Sequence, residues 1–437
     1  MINNIKYSAG EIAKIIDGVL EGEDIYINSI SLDSREISKF PSCFFAIKGK
    51  NFNGVNYIEE AISNGAGLII TQEKIECSKS VIYVENTIKA LGLFAKYHKG
   101  KTTVIGITGS YGKTTVKDMV FSVLKEKYSV CGTESNMNNE IGVSMTLLGI
   151  ENHDFCVVEM GMRALGEIDW LAYISEPDTS IIVNCGTAHI GRLGCKENIF
   201  KAKTEIIKHT KKCVICPDNE EFLKLDCKDI QKVAVGEFGE YFAYDVEAFE
   251  NAIKFKITGN EFEIRSSYLH NVNNAVFAYV VGTYYGLNYE EIKRGLYKWE
   301  QRENRGKTID IKGIKVINDS YNASYESVKG AIISICSAKN KGVVSVLLGD
   351  MLELGEYSKE LHFSVGKMCR EMGISNLYAI GKNAEFYVEG FGGGYIFENA
   401  DDASEKILKM LSPGDTLLIK ASNAMNFEKI INIMREK

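Results

Sequence analysis

Residues 103–124 read Thr103-Val-Ile-Gly-Ile-Thr-Gly-Ser-Tyr-Gly-Lys-Thr-Thr-Val-Lys-Asp-Met-Val-Phe-Ser-Val-Leu124. The run Thr103 to Ile107 is short and apolar, which predicts a buried strand. From about Thr114 the residues Val116, Met119, Val120, Val123 and Leu124 recur at helical spacing and predict a helix with one buried face. Between them, Gly109, Ser110, Tyr111, Gly112, Lys113, Thr114 and Thr115 form a glycine-bearing loop that opens onto a helix N-terminus. Backbone N–H groups of such a loop close around phosphate oxygens, and the helix dipole adds to the attraction. Lys113 is then expected at the β- and γ-phosphates, with the Thr114 hydroxyl on Mg²⁺. The strict pattern G-x-x-x-x-G-K-S/T asks for glycine where this chain has Ile107, so the strand-before, helix-after context carries the reading. The bland alternative is a glycine-rich turn with a solvated lysine.

Working outward, further strands are expected at Phe155 to Val158, Ser180 to Val183 and Cys213 to Cys216. Strand and helix in alternation predict a parallel sheet with helices on both faces. Upstream, Glu11 to Leu20 and Glu59 to Ser63 read as helices, with strands at Cys43–Ile47 and Leu68–Ile70. The polar stretch His98-Lys99-Gly100-Lys101 reads as a linker. Near Thr308 a third block opens with a hairpin over Ile309–Ile317, then strands at Val343–Leu348 and Thr416–Ile419. A length of 437 residues accommodates three such domains, here placed at 1–97, 98–307 and 308–437.

Composition narrows the function. Lys and Arg total 51 against 58 Asp and Glu, a net charge of −7, which argues against a nucleic-acid-binding surface. No run approaches the length of a membrane span, and the N-terminal residues lack a signal-peptide layout. Eleven scattered cysteines do not form a disulfide framework. Cys213 and Cys216 make one lone C-x-x-C, but Val214 and Ile215 between them read as buried strand. A reducing, cytoplasmic location is expected.

Three polar residues sit where stability alone would not place them. Glu159 ends an apolar strand, at the carboxyl edge where parallel sheets bind ligands. His189 follows the next strand and its loop. Lys203 falls inside the apolar stripe of its helix, although lysine is rarely buried without a partner. A capped strand end, a loop histidine and a snorkelling stem are the structural readings of each. Together, downstream of a phosphate loop, Thr114, Glu159, His189 and Lys203 point to a metal site for Mg²⁺.

The motifs Gly109-Ser-Tyr-Gly-Lys-Thr-Thr115, Thr133-Glu-Ser-Asn136-Met-Asn138-Asn139-Glu-Ile-Gly142, Glu159-Met-Gly-Met-Arg163 and Asn184-Cys-Gly-Thr-Ala-His189 resemble the ATPase domain of the Mur ligases. The resemblance continues through Lys201-Ala-Lys203-Thr-Glu205-Ile206, His270-Asn271-Val-Asn273-Asn274-Ala275, Ile317-Asn-Asp319-Ser-Tyr321-Asn322-Ala323-Ser324 and Leu348-Gly-Asp350-Met-Leu-Glu353-Leu-Gly355. Asp33-Ser34-Arg35, Phe44-Phe45-Ala46 and Gly65-Ala66 match a uridine-nucleotide domain at the front. Within the family the chain is most similar to ligases that add D-alanyl-D-alanine to UDP-N-acetylmuramoyl-tripeptide.

That resemblance implies a small N-terminal α/β uridine-nucleotide domain, a central P-loop-type parallel-sheet ATPase domain and a C-terminal Rossmann-like domain. It implies ATP and Mg²⁺ as cofactors, and UDP-N-acetylmuramoyl-tripeptide and D-alanyl-D-alanine as substrates of a monomer. Lys113, Lys203 in carbamylated form, His189, Glu159 and Arg302 would be catalytic. Asn274 and Asp319 would contact adenine and ribose, and Arg302 the phosphates. Ser31, Asp33, Ser34, Arg35, Thr133, Asn136, Asn138, Arg163, Tyr321 and Asn322 would hold the substrates. Acyl-phosphate chemistry would follow, with the tripeptide carboxylate attacking the γ-phosphate. The chain departs from the family pattern at Asn53-Gly54-Val55, Tyr325 and Asn423. Two other readings are a folylpolyglutamate-type ligase with another acceptor, and a silent nucleotide-binding relative that would have damaged Lys113, Thr114, Glu159, His189 or Lys203.

Overall fold

The strand Thr103–Thr108 lies inside a six-stranded parallel sheet. Across that sheet the order is Gln231–Val235, Cys213–Pro217, Thr179–Ile182, Thr103–Thr108, Phe155–Glu159 and Val130–Gly132. The helix Lys113–Leu124 follows at once, and its stripe Val116, Met119, Val120, Val123 and Leu124 is fully buried. Because all six strands run the same way, the phosphate loop, Glu159 and the loop to His189 emerge at one sheet edge. The computed structural model describes residues 1–37, 41–49, 51–227, 229–249, 251–338 and 342–436. Among them, no helix is long and apolar enough to cross a membrane.

In the first unit a sheet of order Ile2–Ser8, Tyr26–Ser31, Ser42–Phe45, Ala66–Thr71, Ser80–Tyr83 and Val19–Glu21 is parallel in its middle and antiparallel at both edges. The helix expected over Glu11–Leu20 is shorter, Ala9–Ile15. Ser8 and Glu11 close a capping box at its start. Asp17 then turns the chain with φ 54°, and Val19–Glu21 leaves as a strand against Ser80–Tyr83.

The third unit has the order Lys307–Ile311, Ile314–Asp319, Thr416–Lys420, Val344–Gly349, Asn376–Ile380 and Tyr395–Phe397. Its first two strands form the expected antiparallel hairpin and the others run parallel. Asp319 and Lys420 therefore end adjacent strands, with Asp350 just beyond the next. The sequence reading missed the antiparallel sheet Tyr244–Ala248, Ile253–Ile257 and Asn260–Ile264. The C-x-x-C pair is structural: Cys213 and Cys216 are buried on one strand, and burial pushes both thiols up to about 12.

The polar stretch at His98–Lys101 is not a loose linker at its start. His98 ends the helix Thr87–His98; its ring nitrogens bond the Tyr7 hydroxyl at 3.2 Å and the Ile150 carbonyl at 3.2 Å. Lys99 is only 4% exposed, and its ammonium lies 3.3 Å from Glu176. Glu176 also takes Lys96 at 3.1 Å and Lys211 at 3.3 Å. Burial alone would raise the Glu176 carboxyl, but the ammoniums of Lys96 and Lys99 outweigh it and bring the pKa to about 2. The tie joins the first unit to the second. Replacing Glu176 by Gln should destabilise the protein by about 3 kcal/mol, since Lys99 would be left buried without its carboxylate. Because the folded pKa is depressed, the wild-type tie is present above the ordinary carboxylate range and is lost as pH falls towards about 2. Denaturant melts of both proteins against pH, converging at the acid end, are the check.

Candidate active site

Gly112 caps the phosphate-loop helix at φ 76°, a left-handed conformation that suits glycine. A Cβ there would also stand 3.1 Å from the Asn274 Oδ1. Asn184, arriving from the neighbouring strand, shapes the loop. Its Oδ1 accepts from the N–H groups of Ser110 at 3.0 Å and Tyr111 at 3.1 Å, and its Nδ2 donates to the Tyr111 carbonyl at 3.0 Å. The Ser110 hydroxyl accepts from the Gly186 N–H at 2.8 Å. Lys113 donates to the Gly109 carbonyl at 2.8 Å, arched over the loop as a phosphate-gripping lysine is. Loss of water pushes its pKa down, and nearby Arg305 adds to this while Glu159 opposes it.

The Thr114 hydroxyl donates to one Glu159 carboxylate oxygen at 2.7 Å, and Asn138 Nδ2 donates to the other at 2.8 Å. Thr133 is buried and fixes the same strand end, its hydroxyl accepting from the Glu159 N–H at 3.0 Å. Beside this cluster the Lys203 side chain is 2% exposed, as its place in the apolar stripe predicts. Burial holds its pKa well below the usual lysine range and the Lys113 charge adds to that, so the amine is biased towards its neutral form. The His189 ring lines the same cleft, with its Nδ1 hydrogen-bonded to Glu353 of the third unit. Burial lowers the His189 pKa against the pull of Glu353.

The third unit closes the cleft, whose volume is about 710 Å³. Lys420, 2% exposed, pairs with Asp319 at 2.6 Å, and burial pushes the Asp319 carboxyl up while Lys420 pulls it back. The Arg305 guanidinium lies over the Tyr321 ring, 3.8 Å from its centroid, and both residues face the cleft. Thr115, Asn136, Arg163 and Asn322 also line it.

Some expected site residues lie elsewhere. Arg302 is clamped by Asp118 through bonds of 2.7 and 2.9 Å and does not line the cleft, whereas Arg305 does; sequence reading passed over Arg305 because the two arginines stand three residues apart with no local signal between them. Asn274 sits behind the phosphate loop, its Nδ2 donating to Asn271 at 2.9 Å, and it is Asn271 that reaches the cleft. Ser31, Asp33, Ser34 and Arg35 form a separate turn in the first unit. There Arg35 grips Asp33 at 2.9 and 2.6 Å and Ser34 donates to Glu60 at 2.6 Å.

Three family models match in chain order: the Mur ligase family catalytic domain over residues 26–99, the Mur ligase middle domain over 107–282, and the Mur ligase glutamate ligase domain over 304–423. The UDP-N-acetylmuramoyl-tripeptide--D-alanyl-D-alanine ligase of Bacillus subtilis is 34% identical over 99% of both chains. The chain belongs to the Mur ligase family. Among solved structures of that family, MurF from Acinetobacter baumannii is 27% identical and superposes with a TM-score of 0.94 over the whole of both chains. MurF from Thermotoga maritima, solved in complex with ADP, is 27% identical with a TM-score of 0.86, covering 93% of this chain and 97% of that one.

The residues present fit the Mg²⁺ that the family uses. Thr114 and Glu159 offer a hydroxyl and a carboxylate at the mouth of a phosphate loop, the oxygen donors a hard cation prefers. Lys203 as an amine is no ligand, and its depressed pKa leaves it available for conversion into one. A lysine whose folded pKa is lowered weakens the fold below that pKa, and the penalty fades as pH rises to the ordinary lysine range. In CO₂-free buffer near neutrality, Lys203→Met should therefore raise the melting temperature by about 2 °C, while in bicarbonate-containing assay buffer it should abolish activity. Thermal scans should show that gain shrinking as the buffer is made more alkaline.

Proposed function

We infer that the protein joins D-alanyl-D-alanine to UDP-N-acetylmuramoyl-tripeptide with cleavage of ATP to ADP and phosphate, giving the UDP-N-acetylmuramoyl-pentapeptide precursor of peptidoglycan. The observation that carries this is the end-to-end match to ligases of that name, together with Lys113, Thr114, Glu159, His189 and Lys203 intact and gathered at one sheet edge. A silent relative would have lost one of these five. A folylpolyglutamate-type ligase leaves the Asp33-Ser34-Arg35 domain unexplained.

In this reading the loop and Lys113 hold the ATP phosphates. Thr114, Glu159, His189 and carbamylated Lys203 would hold Mg²⁺. Once bound there, Mg²⁺ supplies neutralisation of phosphate charge. The carbamate forms when the neutral Lys203 amine adds to CO₂: an N–C bond forms, one C=O electron pair moves to oxygen, and the nitrogen releases a proton to solvent. The tripeptide carboxylate attacks the γ-phosphorus while the bond to the bridging oxygen of ADP breaks, leaving an acyl phosphate. The dipeptide amine then attacks the acyl carbon, the C–O bond breaks, phosphate departs with the electron pair and the amine gives up a proton. Positioning and charge do most of this work. Arg305, which lies over the Tyr321 ring and forms no salt bridge among the described residues, the Asp319 carboxylate acting on it only from farther off, is assigned the phosphate contact that the sequence match gave to Arg302. Asp319 and Asn271 would face the nucleoside, and Asn136, Asn138, Arg163, Tyr321 and Asn322 the peptide ends. Asp33, Ser34 and Arg35, with Ser31 behind them, would take the uridine nucleotide. The reaction is assigned to the cytoplasm, where ATP is supplied.

Phosphate release from Mg-ATP should require both the UDP-tripeptide and D-alanyl-D-alanine, with the pentapeptide identified by mass. Release independent of the dipeptide would point to another acceptor. Arg305→Ala should lower kcat on the order of 100-fold, as loss of one charge-stabilising group does. Arg302→Ala should act mainly on stability; equal kinetic losses in both variants would return the phosphate role to Arg302.

A further inference from the structure

Two residues of different units meet across the cleft in the same uncommon backbone conformation. His189, in the loop after Thr179–Ile182, has φ 66°, and Glu353, in the loop after Val344–Gly349, has φ 61°. Non-glycine residues in the left-handed region are held there by their surroundings, and such strain gathers at functional sites. The His189 carbonyl accepts from Arg192 and Leu193 of its own helix, whereas the Glu353 backbone is held from the other unit. The Gly191 N–H donates to the Glu353 carbonyl at 3.0 Å, and a Cβ on Gly191 would come within 2.4 Å of the Gly355 nitrogen. The two backbones can approach this closely because position 191 carries no side chain.

Both oxygens of the Glu353 carboxylate are engaged, Oε1 by Arg192 at 2.6 Å and Oε2 by the Nδ1 of His189. An ionised carboxylate only accepts hydrogen bonds, so the Nδ1 carries the proton. The Nε2 then keeps its lone pair, and the ring lines the cleft. A carboxylate on one ring nitrogen fixes which nitrogen remains free and where it points.

We propose that Glu353, supplied by the third unit, is a positioning residue that sets the tautomer and orientation of His189, so that docking of the third unit aims the Nε2 of His189 at the cleft. This rests on the ligase reading above. It adds that the metal-facing side of the second unit is incomplete until the third unit is in place. A competing account is that Glu353 merely glues the two units together. Tyr357, whose hydroxyl donates to the Gly194 carbonyl at 3.1 Å, offers a cross-unit bond that does not involve His189 and separates the two accounts.

The test uses the full chain labelled with ¹⁵N-histidine, without nucleotide or metal, and the His189 ring signals assigned with His189→Gln. Wild-type protein should show the Nδ1–H tautomer for His189. Glu353→Ala should turn it into a mixture and lower kcat by about 10–100-fold, the usual cost of losing such a partner, with KM for the UDP-tripeptide within about twofold of wild type. Glu353→Gln, whose amide oxygen still accepts from Nδ1, should restore both the tautomer and much of the rate, and it serves as the folded variant if the alanine form is unstable. Tyr357→Phe should leave ring signals and kcat unchanged. Unaltered His189 signals in Glu353→Ala, or an equal loss in Tyr357→Phe, would overturn the proposal. A wild type that forms no pentapeptide would instead sink the ligase reading, while the ring signals would still decide the positioning role.

Discussion

The hydrogen bond from Thr114 to Glu159 joins the first turn of the phosphate-loop helix to the end of the adjacent strand. A parallel sheet brings all its strand ends to one edge, but it does not decide how the loops there lean on one another. This bond does, with Asn138 on the second carboxylate oxygen and Thr133 on the backbone N–H behind it. On the other side of the central strand, Asn184 performs the matching task by holding the phosphate loop itself. The loop is thus braced from both neighbouring strands, so its backbone donors are set before any phosphate arrives.

On the proposed reading, Lys203 would pull stability and function apart. A buried amine beside Lys113 weakens the fold as long as it is protonated. The same burial favours the neutral nucleophile that CO₂ requires, and the product would exchange a misplaced cation for an anion beside a phosphate site. Arg302 and Arg305 make the complementary point. Three residues apart, one is clamped by a carboxylate and the other lies on an aromatic face. No salt bridge holds Arg305 among the described residues, and the Tyr321 ring steadies it while leaving its donors for an anion.

The strand–loop–helix unit at 103–124 was legible because its signals are local: apolar run, glycines and helical spacing fall within one window. Glu159 and His189 were legible for a related reason, polar residues just beyond apolar strands. What escaped depends on distant partners. The helix starting at Ala9 stops where an edge strand pairs with Ser80–Tyr83, a contact that local spacing does not record. His98 and Lys99 look like linker residues until Ile150 and Glu176 arrive from the second unit. Glu353 stood in a recognised motif, yet no periodicity indicates that it reaches a histidine 164 positions earlier. One miss was local: Ile253, Phe255 and Ile257 alternate with Lys254 and Lys256 ahead of the turn Thr258-Gly259, a hairpin signal that was passed over, whereas the mostly exposed strand Tyr244–Ala248 carries little pattern of its own.

The turn Ser31–Arg35 belongs to the first unit and does not line the cleft. A substrate anchored at that turn has to stretch from one unit to the reacting centre of another, and the molecule then acts as a gauge. The handle and the reactive carboxylate must be separated by the right length of sugar and peptide, whatever the chemistry at either end. A chemically identical carboxylate on a shorter arm would fall short of the γ-phosphate, and one on a longer arm would have to fold back to reach it. If the turn takes the uridine nucleotide as proposed, discrimination among precursors by length would lie in the spacing of the two sheets rather than in any side chain that touches the bond being made.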